Sequence, residues 1–199
     1  MPAEVGATGV VAAVVAGYLI GSLPVALVVG RRHGVDLRLV GDRNPGYWNA
    51  KERLGPRAAL PVLIGDTAKG VAAGVVGVVA ASDTHWWVAY LVVAAGMVGH
   101  AFPVFAGFRG GRSLLVFVGG SLVLSPVAAA LAVVLTAVVA LVRRSFAWGI
   151  RVGVFGYPFI QLVVEGPARV AATGCLMSII GLRFFTAALS DRRRPRHRS

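Results

Sequence analysis

The chain has 199 residues, 57% of them hydrophobic and only 14% charged, with a mean hydropathy of +0.77. Soluble domains are about 25% charged, so this composition excludes an ordinary soluble globule and leaves room for a single transmembrane domain over 1–199. The net charge of +12 would suggest nucleic acid in a soluble protein. Here the basic residues lie in loops and at the C-terminus, where positive charge stays cytoplasmic and meets anionic lipid headgroups, and no fold signal supports a nucleic-acid partner.

The N-terminus carries Glu4 as its one early charge and lacks the positive n-region of a secretory signal, so the first apolar run reads as a retained helix. Residues 10–29 form the first expected span; Gly17, Gly21 and Pro24 inside it suit a transmembrane helix packed closely on a neighbour. A long hydrophilic loop, 30–57, follows. The second span, 58–81, carries Asp66 and Lys69. Ser82-Asp83-Thr84-His85 is a short acidic turn, Trp86-Trp87 mark an interfacial belt, and 86–106 form the third span. Residues 114–142 are apolar or small, and Gly119-Gly120 and Ser125-Pro126 point to a short half-helix, a turn and a second helix. Arg143-Arg144 begin a basic loop reaching Gly149. Residues 152–164 and 169–189 are the last two spans, separated by Glu165-Gly166-Pro167.

The expected fold is therefore all-α and polytopic, with about seven transmembrane helices, some of them short. Seven crossings place every basic segment (30–57, 107–113, 143–151 and the C-terminus) on one side, with the N-terminus outside and the C-terminus cytoplasmic; six would strand one basic loop outside. The basic tail over 191–199, with Arg192-Arg193-Arg194-Pro195-Arg196-His197-Arg198, reads as a disordered topological anchor. Cys175 is the single cysteine, which excludes an intramolecular disulfide and a Cys-based metal site. No HExxH or similar spacing occurs, so neither metal nor cofactor is expected. No feature specifies an oligomer.

Polar residues at membrane depth are costly and are usually functional or paired. Asp66 and Lys69 share one helix face, either as a self-neutralising ion pair or with Lys69 facing an anionic substrate and Asp66 holding it. His100, at the cytoplasmic end of the third span, is either a hydrogen-bonded structural residue or a base whose tautomer a partner must fix. The loop Gly41-Asp42-Arg43-Asn44-Pro45-Gly46-Tyr47-Trp48-Asn49 reads equally as a turn-rich interfacial loop or, joined with Arg53, Lys69 and Arg112, as a cationic, amide-lined patch. From Gly99 to Arg112 an apolar run ends in Gly110-Gly111 bracketed by Arg109 and Arg112, a combination of exposed backbone N–H groups and fork-shaped cations that suits a phosphate. No Ser-His-Asp order and no thiol nucleophile is present, which argues against a covalent acyl-enzyme.

These residues resemble the bacterial acyl-phosphate:glycerol-3-phosphate acyltransferase family (PlsY type). Tyr18-Leu19-Ile20-Gly21-Ser22-Leu23-Pro24 followed by Asp36-Leu37-Arg38 and Gly41 is similar in order and spacing. Asn44, Gly46, Asn49, Arg53 and Gly55 fall on the pattern GSGNxGATNxxRxxG; Asp66, Lys69 and Gly70 on DxxKG; and Gly99, His100, Pro103, Phe105, Phe108, Gly110 and Gly111 on GHxxPVFxxFxGGKG. The match is in register through Arg112 and weakens beyond it. It implies a multi-pass protein of the bacterial cell membrane. An acyl phosphate would give its fatty acyl group to the 1-hydroxyl of glycerol 3-phosphate, yielding lysophosphatidic acid in phospholipid biosynthesis. By the same resemblance Arg112, His100 and Lys69 are the catalytic candidates. Ser22, Arg38, Asn44, Asn49, Arg53, Asp66, Gly110 and Gly111 would bind substrate: Arg53 and Lys69 the substrate phosphates, Asn44 and Asn49 the glycerol hydroxyls, and the backbone N–H groups around Gly110-Gly111 the acyl-phosphate charge. Glycerol 3-phosphate, acyl phosphate and membrane lipids are the implied partners.

The chain departs from the pattern at several points. Asp42-Arg43 replace Ser-Gly, Tyr47-Trp48 replace Ala-Thr, and the end of the glycine loop reads Arg112-Ser113-Leu114-Leu115. A serine-containing motif expected after Arg144 reads Ser145-Phe146-Ala147-Trp148-Gly149, without its central serine. RHRxN near the last span is missing, with Arg183 as its one remnant. Asp42 puts a negative charge where a phosphate would approach. The alternative to an acyltransferase is therefore a catalytically inactive relative that keeps the fold as an anionic-lipid-binding or partner membrane protein. A transporter would need paired broken helices with mid-membrane polar residues, and Asp66 and Lys69 alone approach that.

Overall fold

The computed structural model describes residues 6–82 and 85–192. Glu4, Asp83-Thr84 and most of the basic tail lie outside these residues. The described residues form helices α1 (Ala7–Gly21), α2 (Val25–Arg32), α3 (Tyr47–Leu54), α4 (Pro56–Ala80), α5 (Trp87–Ala101), a 3₁₀ turn (Val104–Ala106), α6 (Leu114–Leu124), α7 (Pro126–Val142), α8 (Phe146–Glu165) and α9 (Pro167–Arg192), with no strand among them. Among the described residues five stretches are long and apolar enough to cross a membrane: Ala7–Arg32, Pro56–Ala80, Trp87–Ala106, Phe146–Glu165 and Pro167–Ser190; α6 and α7 are shorter apolar helices. At 1.5 Å per residue a helix of the length of α8 spans about 30 Å, the thickness of a bilayer's hydrocarbon core. Large apolar side chains such as Val142, Phe159 and Val163 are 77%, 73% and 87% exposed, an outward apolar surface that lipid covers and water would not tolerate.

The expected break in 114–142 falls at Ser125, and Pro126 opens α7, where its missing N–H costs nothing. The first expected span is not one helix. Pro24 removes an N–H and its ring clashes with the preceding turn, so the chain breaks over Ser22-Leu23-Pro24 between α1 and α2. The basic loop expected to reach Gly149 is shorter, because the Ser145 side chain accepts from the Trp148 N–H and starts α8 at Phe146. Part of the polar loop folds as well: α3 begins inside it.

Helices meet through small residues. A Cβ on Gly21 would run into the backbone of Gly96, and one on Gly70 or Gly119 into the backbone of Val116 or Thr67, so α1 lies against α5, and α4 against α6, at backbone contact. One end of the bundle gathers the loops 33–46, 102–113 and 143–145; the other gathers 81–82 and 85–86, Ser125 and Gly166. At that second end a buried polar network joins five helices' ends. Gln161 Nε2 lies within hydrogen-bond distance of Ser125 Oγ (2.7 Å), Tyr90 OH (3.2 Å) and Glu165 Oε2 (3.2 Å), among which its two N–H groups are shared; Ser125 Oγ donates to Glu165 Oε2 (2.7 Å), and Thr173 Oγ1 donates to Gln161 Oε1 (2.7 Å).

Candidate active site

The basic end holds the candidate site, whose residues cluster around Lys69. Asp66 and Lys69 stand one turn apart on α4, with Nζ 2.9 Å from Asp66 Oδ1 and both side chains almost fully buried. Lys69 Nζ also donates to the carbonyls of Leu23 (2.8 Å) and Gly21 (3.3 Å) and lies 3.1 Å from His100 Nδ1. Those two carbonyls are reachable because Pro24 breaks the helix there. An ammonium has three N–H groups and no lone pair, and its three hydrogen-bond partners are Leu23 O, Gly21 O and His100 Nδ1, while Asp66 Oδ1 pairs with it by charge. Facing an ammonium, His100 Nδ1 can only accept, in the tautomer that carries a ring proton on Nε2. Nε2 faces the glycine loop: a Cβ on Gly111 would collide with it. The ion-pair reading of Asp66 and Lys69 and the reading of both as site residues meet in one cluster.

The glycine loop folds back on α5. Gly110 N donates to Ala101 O (3.2 Å) and Gly111 N to His100 O (3.1 Å), so these two amides are taken up in the backbone. The N–H groups without an intrahelical acceptor at this corner are those of the first turn of α6, beginning at Leu114, just after Arg112. Ser113 takes a left-handed conformation, with φ of +62°, and anchors the turn by donating to Met97 O at 2.6 Å. From α9, Arg183 donates through Nε and Nη2 to the carbonyls of Gly111 and Gly110, both at 3.1 Å, and stacks 4.8 Å over Phe102. Arg112 stacks 4.7 Å over Phe184, and its Nη1 lies 3.0 Å from Asp42 Oδ2. Its Nε is buried and has no partner among the described residues.

The polar loop supplies scaffolding around this corner. Arg38 grips Asp36 in a fork (2.7 Å at the closest pair) and donates to Ala106 O at 3.2 Å, tying the loop to the 3₁₀ turn. The Arg38 guanidinium holds the Asp36 carboxyl down at about 2 and is itself pushed up by that carboxylate. Asn49 Nδ2 reaches the carbonyls of Leu37 (2.8 Å), Val40 (3.1 Å) and Asn44 (3.1 Å), closing the loop on α3. Gly41 has φ of +60°, and a Cβ there would collide with Asn49 Oδ1 and meet Arg53 Nε at 2.8 Å. Ser22 is fully buried at the α1–α2 break, its hydroxyl donating to Tyr18 O at 2.8 Å. Arg53 is exposed and lines neither cavity that Arg112 lines.

Two cavities meet at Arg112. One, of about 200 Å³, is lined by Asp42, Arg43, Asn44, Gly110, Arg112 and Arg183, with Thr186 and Ser190 of α9. The other, of about 410 Å³, has Asn44, Asp66, His100 and Arg112 among its polar walls and Leu63, Leu115 and Ile150 among its apolar ones. Leu63, Leu115 and Ile150 also line an apolar cavity of about 220 Å³ between α4, α6, α7 and α8. The structure thus brings together Asn44, Asp66, Lys69, His100, Gly110, Gly111 and Arg112. It also brings in Arg183, singled out in the sequence only as a motif remnant, and Arg151, on the wall of the larger cavity. For Arg151, an arginine near the start of an otherwise apolar helix was the available sequence signal.

Residues 11–190 match the family model described as glycerol-3-phosphate acyltransferase. A relative of that name from Exiguobacterium sibiricum is 43% identical over 119 residues, covering 59% of this chain and 56% of the relative. One from Cereibacter sphaeroides is 32% identical over 183 residues, covering 90% of this chain and 85% of the relative. The chain spans little more than half the length of the Exiguobacterium relative and of one from Rubrobacter xylanophilus, at 56% of each. Among solved structures, PlsY (YgiH), described as an integral membrane glycerol 3-phosphate acyltransferase in its glycerol 3-phosphate form, superposes with a TM-score of 0.76 at 25% identity, covering 93% of this chain and 94% of that one. Its lysophosphatidic acid form shares the fold, with a TM-score of 0.73. This all-helical, multi-pass membrane chain belongs to the glycerol-3-phosphate acyltransferase family.

Proposed function

We propose that the protein transfers a fatty acyl group from acyl phosphate to the 1-hydroxyl of glycerol 3-phosphate at the cytoplasmic face of the bacterial plasma membrane. The observation that carries this reading is the cavity that is cationic and amide-lined at Arg112 and apolar at Leu63, Leu115 and Ile150. A headgroup phosphate fits its polar end, and an acyl chain fits the apolar continuation. The glycerol hydroxyl attacks the acyl carbon, a new C–O ester bond forms, and the bond from the acyl carbon to the phosphate oxygen breaks. The departing phosphate takes the hydroxyl proton. Arg112 and the first-turn N–H groups of α6 stabilise the charge that develops on the phosphate side. His100, donating from Nε2, is positioned by Lys69, whose N–H groups are already engaged; Lys69 acts by holding the site and by its charge. Asp66 fixes Lys69, Asn44 faces the substrates, and Asn49, Ser22 and Arg38 hold the loops that present them.

The same reading takes seven crossings, with α6 and α7 as the short pair, the N-terminus outside and the basic loops cytoplasmic. One observation favours a non-catalytic relative: the Asp42 carboxylate sits on Arg112, 3.0 Å from Nη1. Purified protein in detergent, given acyl phosphates and labelled glycerol 3-phosphate, separates the two. The acyltransferase yields lysophosphatidic acid above an empty-micelle control; absence of product at every acyl-chain length rejects it.

A further inference from the structure

We propose that Asp42 is a tethered counter-anion for the smaller cavity, a specificity-determining residue that occupies Arg112 until a phosphate displaces it. Three guanidinium groups, Arg43, Arg112 and Arg183, line that cavity against one carboxylate, Asp42. Its volume of about 200 Å³ holds a phosphate with several waters at about 30 Å³ each. The contents are therefore anionic, and the first anion present is the protein's own.

The shape of this cavity does not depend on Asp42. Arg112 is stacked on Phe184, and Arg183 is pinned by the Gly110 and Gly111 carbonyls and by Phe102. The Arg112–Asp42 pair is partly exposed, at 22% and 33% for the two side chains. Such pairs are weak and salt-screened, so a dianion bridging several guanidinium groups displaces the carboxylate. Asp42 has a second contact: its Oδ1 accepts from Asn44 N at 3.1 Å and shapes the turn. Asparagine retains that acceptor and the side-chain shape while removing the charge. In Asp42→Asn, then, the turn stands and the competitor is gone.

This inference rests in part on the acyltransferase reading, so the test has one arm that does not. Inorganic phosphate is titrated calorimetrically into the purified full chain in neutral detergent, at low and at high salt. Asp42→Asn binds phosphate roughly tenfold more tightly than wild type at low salt, with the gain shrinking at high salt. Adding Arg112→Gln removes that gain. Equal or weaker binding by Asp42→Asn, a gain that survives Arg112→Gln, or no binding by either protein overturns the proposal. In turnover, Asp42→Asn lowers the KM for acyl phosphate by a larger factor than it changes kcat. Tighter phosphate binding without any acyl transfer keeps this inference and rejects the enzyme reading. Acyl transfer without tighter binding does the reverse.

Discussion

At the scale of single residues, a buried ammonium is tolerable only because its neighbours satisfy it. Removing Lys69 leaves the Asp66 carboxylate, 2% exposed, without its cation, which costs about 3–5 kcal/mol. Lys69→Met is therefore expected to lower the melting temperature in detergent, and Lys69→Met/Asp66→Asn to recover most of the loss. Both proteins lose acyl transfer by at least about 100-fold, the scale of one lost electrostatic contribution to the transition state. Arg112→Ala loses turnover on the same scale, but with a smaller change in melting temperature, since its side chain is partly exposed. Asp36 gives a pH signature. Its folded value of about 2 lies below the ordinary 3.8, so the fork with Arg38 stabilises fully above the unfolded value and is lost as pH falls through the folded one. The stability difference between wild type and Asp36→Asn is accordingly flat above about pH 5 and shrinks between about pH 4 and 2, read by thermal unfolding across that range.

At the scale of elements, Pro24 and Ser125-Pro126 do related work. Pro24 breaks a helix to release carbonyls toward Lys69; the second break turns α6 into α7 and places the Ser125 hydroxyl among Gln161 and Glu165. Gln161→Ala leaves the buried Thr173 hydroxyl and the Tyr90 and Ser125 hydroxyls without their shared partner. The expected loss is about 1–3 kcal/mol for a group so orphaned, visible as a lower unfolding temperature, with phosphate binding at the other end unchanged. Much of this was legible in the sequence. The apolar runs, the half-helix at Ser125 and the pairing of Asp66 with Lys69 followed from hydropathy, from proline and from polar residues at membrane depth; that His100 belongs with them was implied only by the family resemblance, and the structure sets its Nδ1 3.1 Å from Lys69 Nζ. The break at Pro24 and helix α3 did not follow, because transmembrane helices tolerate proline and a polar loop of glycines and amides has no helical period. The partner of Asp42 was also hidden: Arg43 is its neighbour in sequence, but Arg112, 70 positions away, is its neighbour in space. The Gly110 and Gly111 N–H groups looked available until the loop folded them onto Ala101 and His100.

At the scale of the whole molecule, charge sorts the two ends. Arg31, Arg32, Arg38, Arg43, Arg109, Arg112, Arg143 and Arg144 all belong to the site end, whereas Arg169 at the other end lies 4.9 Å over Trp86. With Cys175 replaced by serine, a single cysteine beside Arg144 should resist membrane-impermeant maleimide in intact cells and react after permeabilisation; labelling from outside rejects the topology. The central claim is that the cationic pocket and its apolar continuation still carry out acyl transfer despite Asp42, Arg112 and Leu114-Leu115 standing where the family pattern differs. Its most direct test is the assay of purified protein with acyl phosphate and labelled glycerol 3-phosphate across acyl-chain lengths. Labelled lysophosphatidic acid and released phosphate in equal amounts, both lost in Arg112→Ala, are the predicted result. No product from wild type at any chain length, or product undiminished in Arg112→Ala, would contradict it.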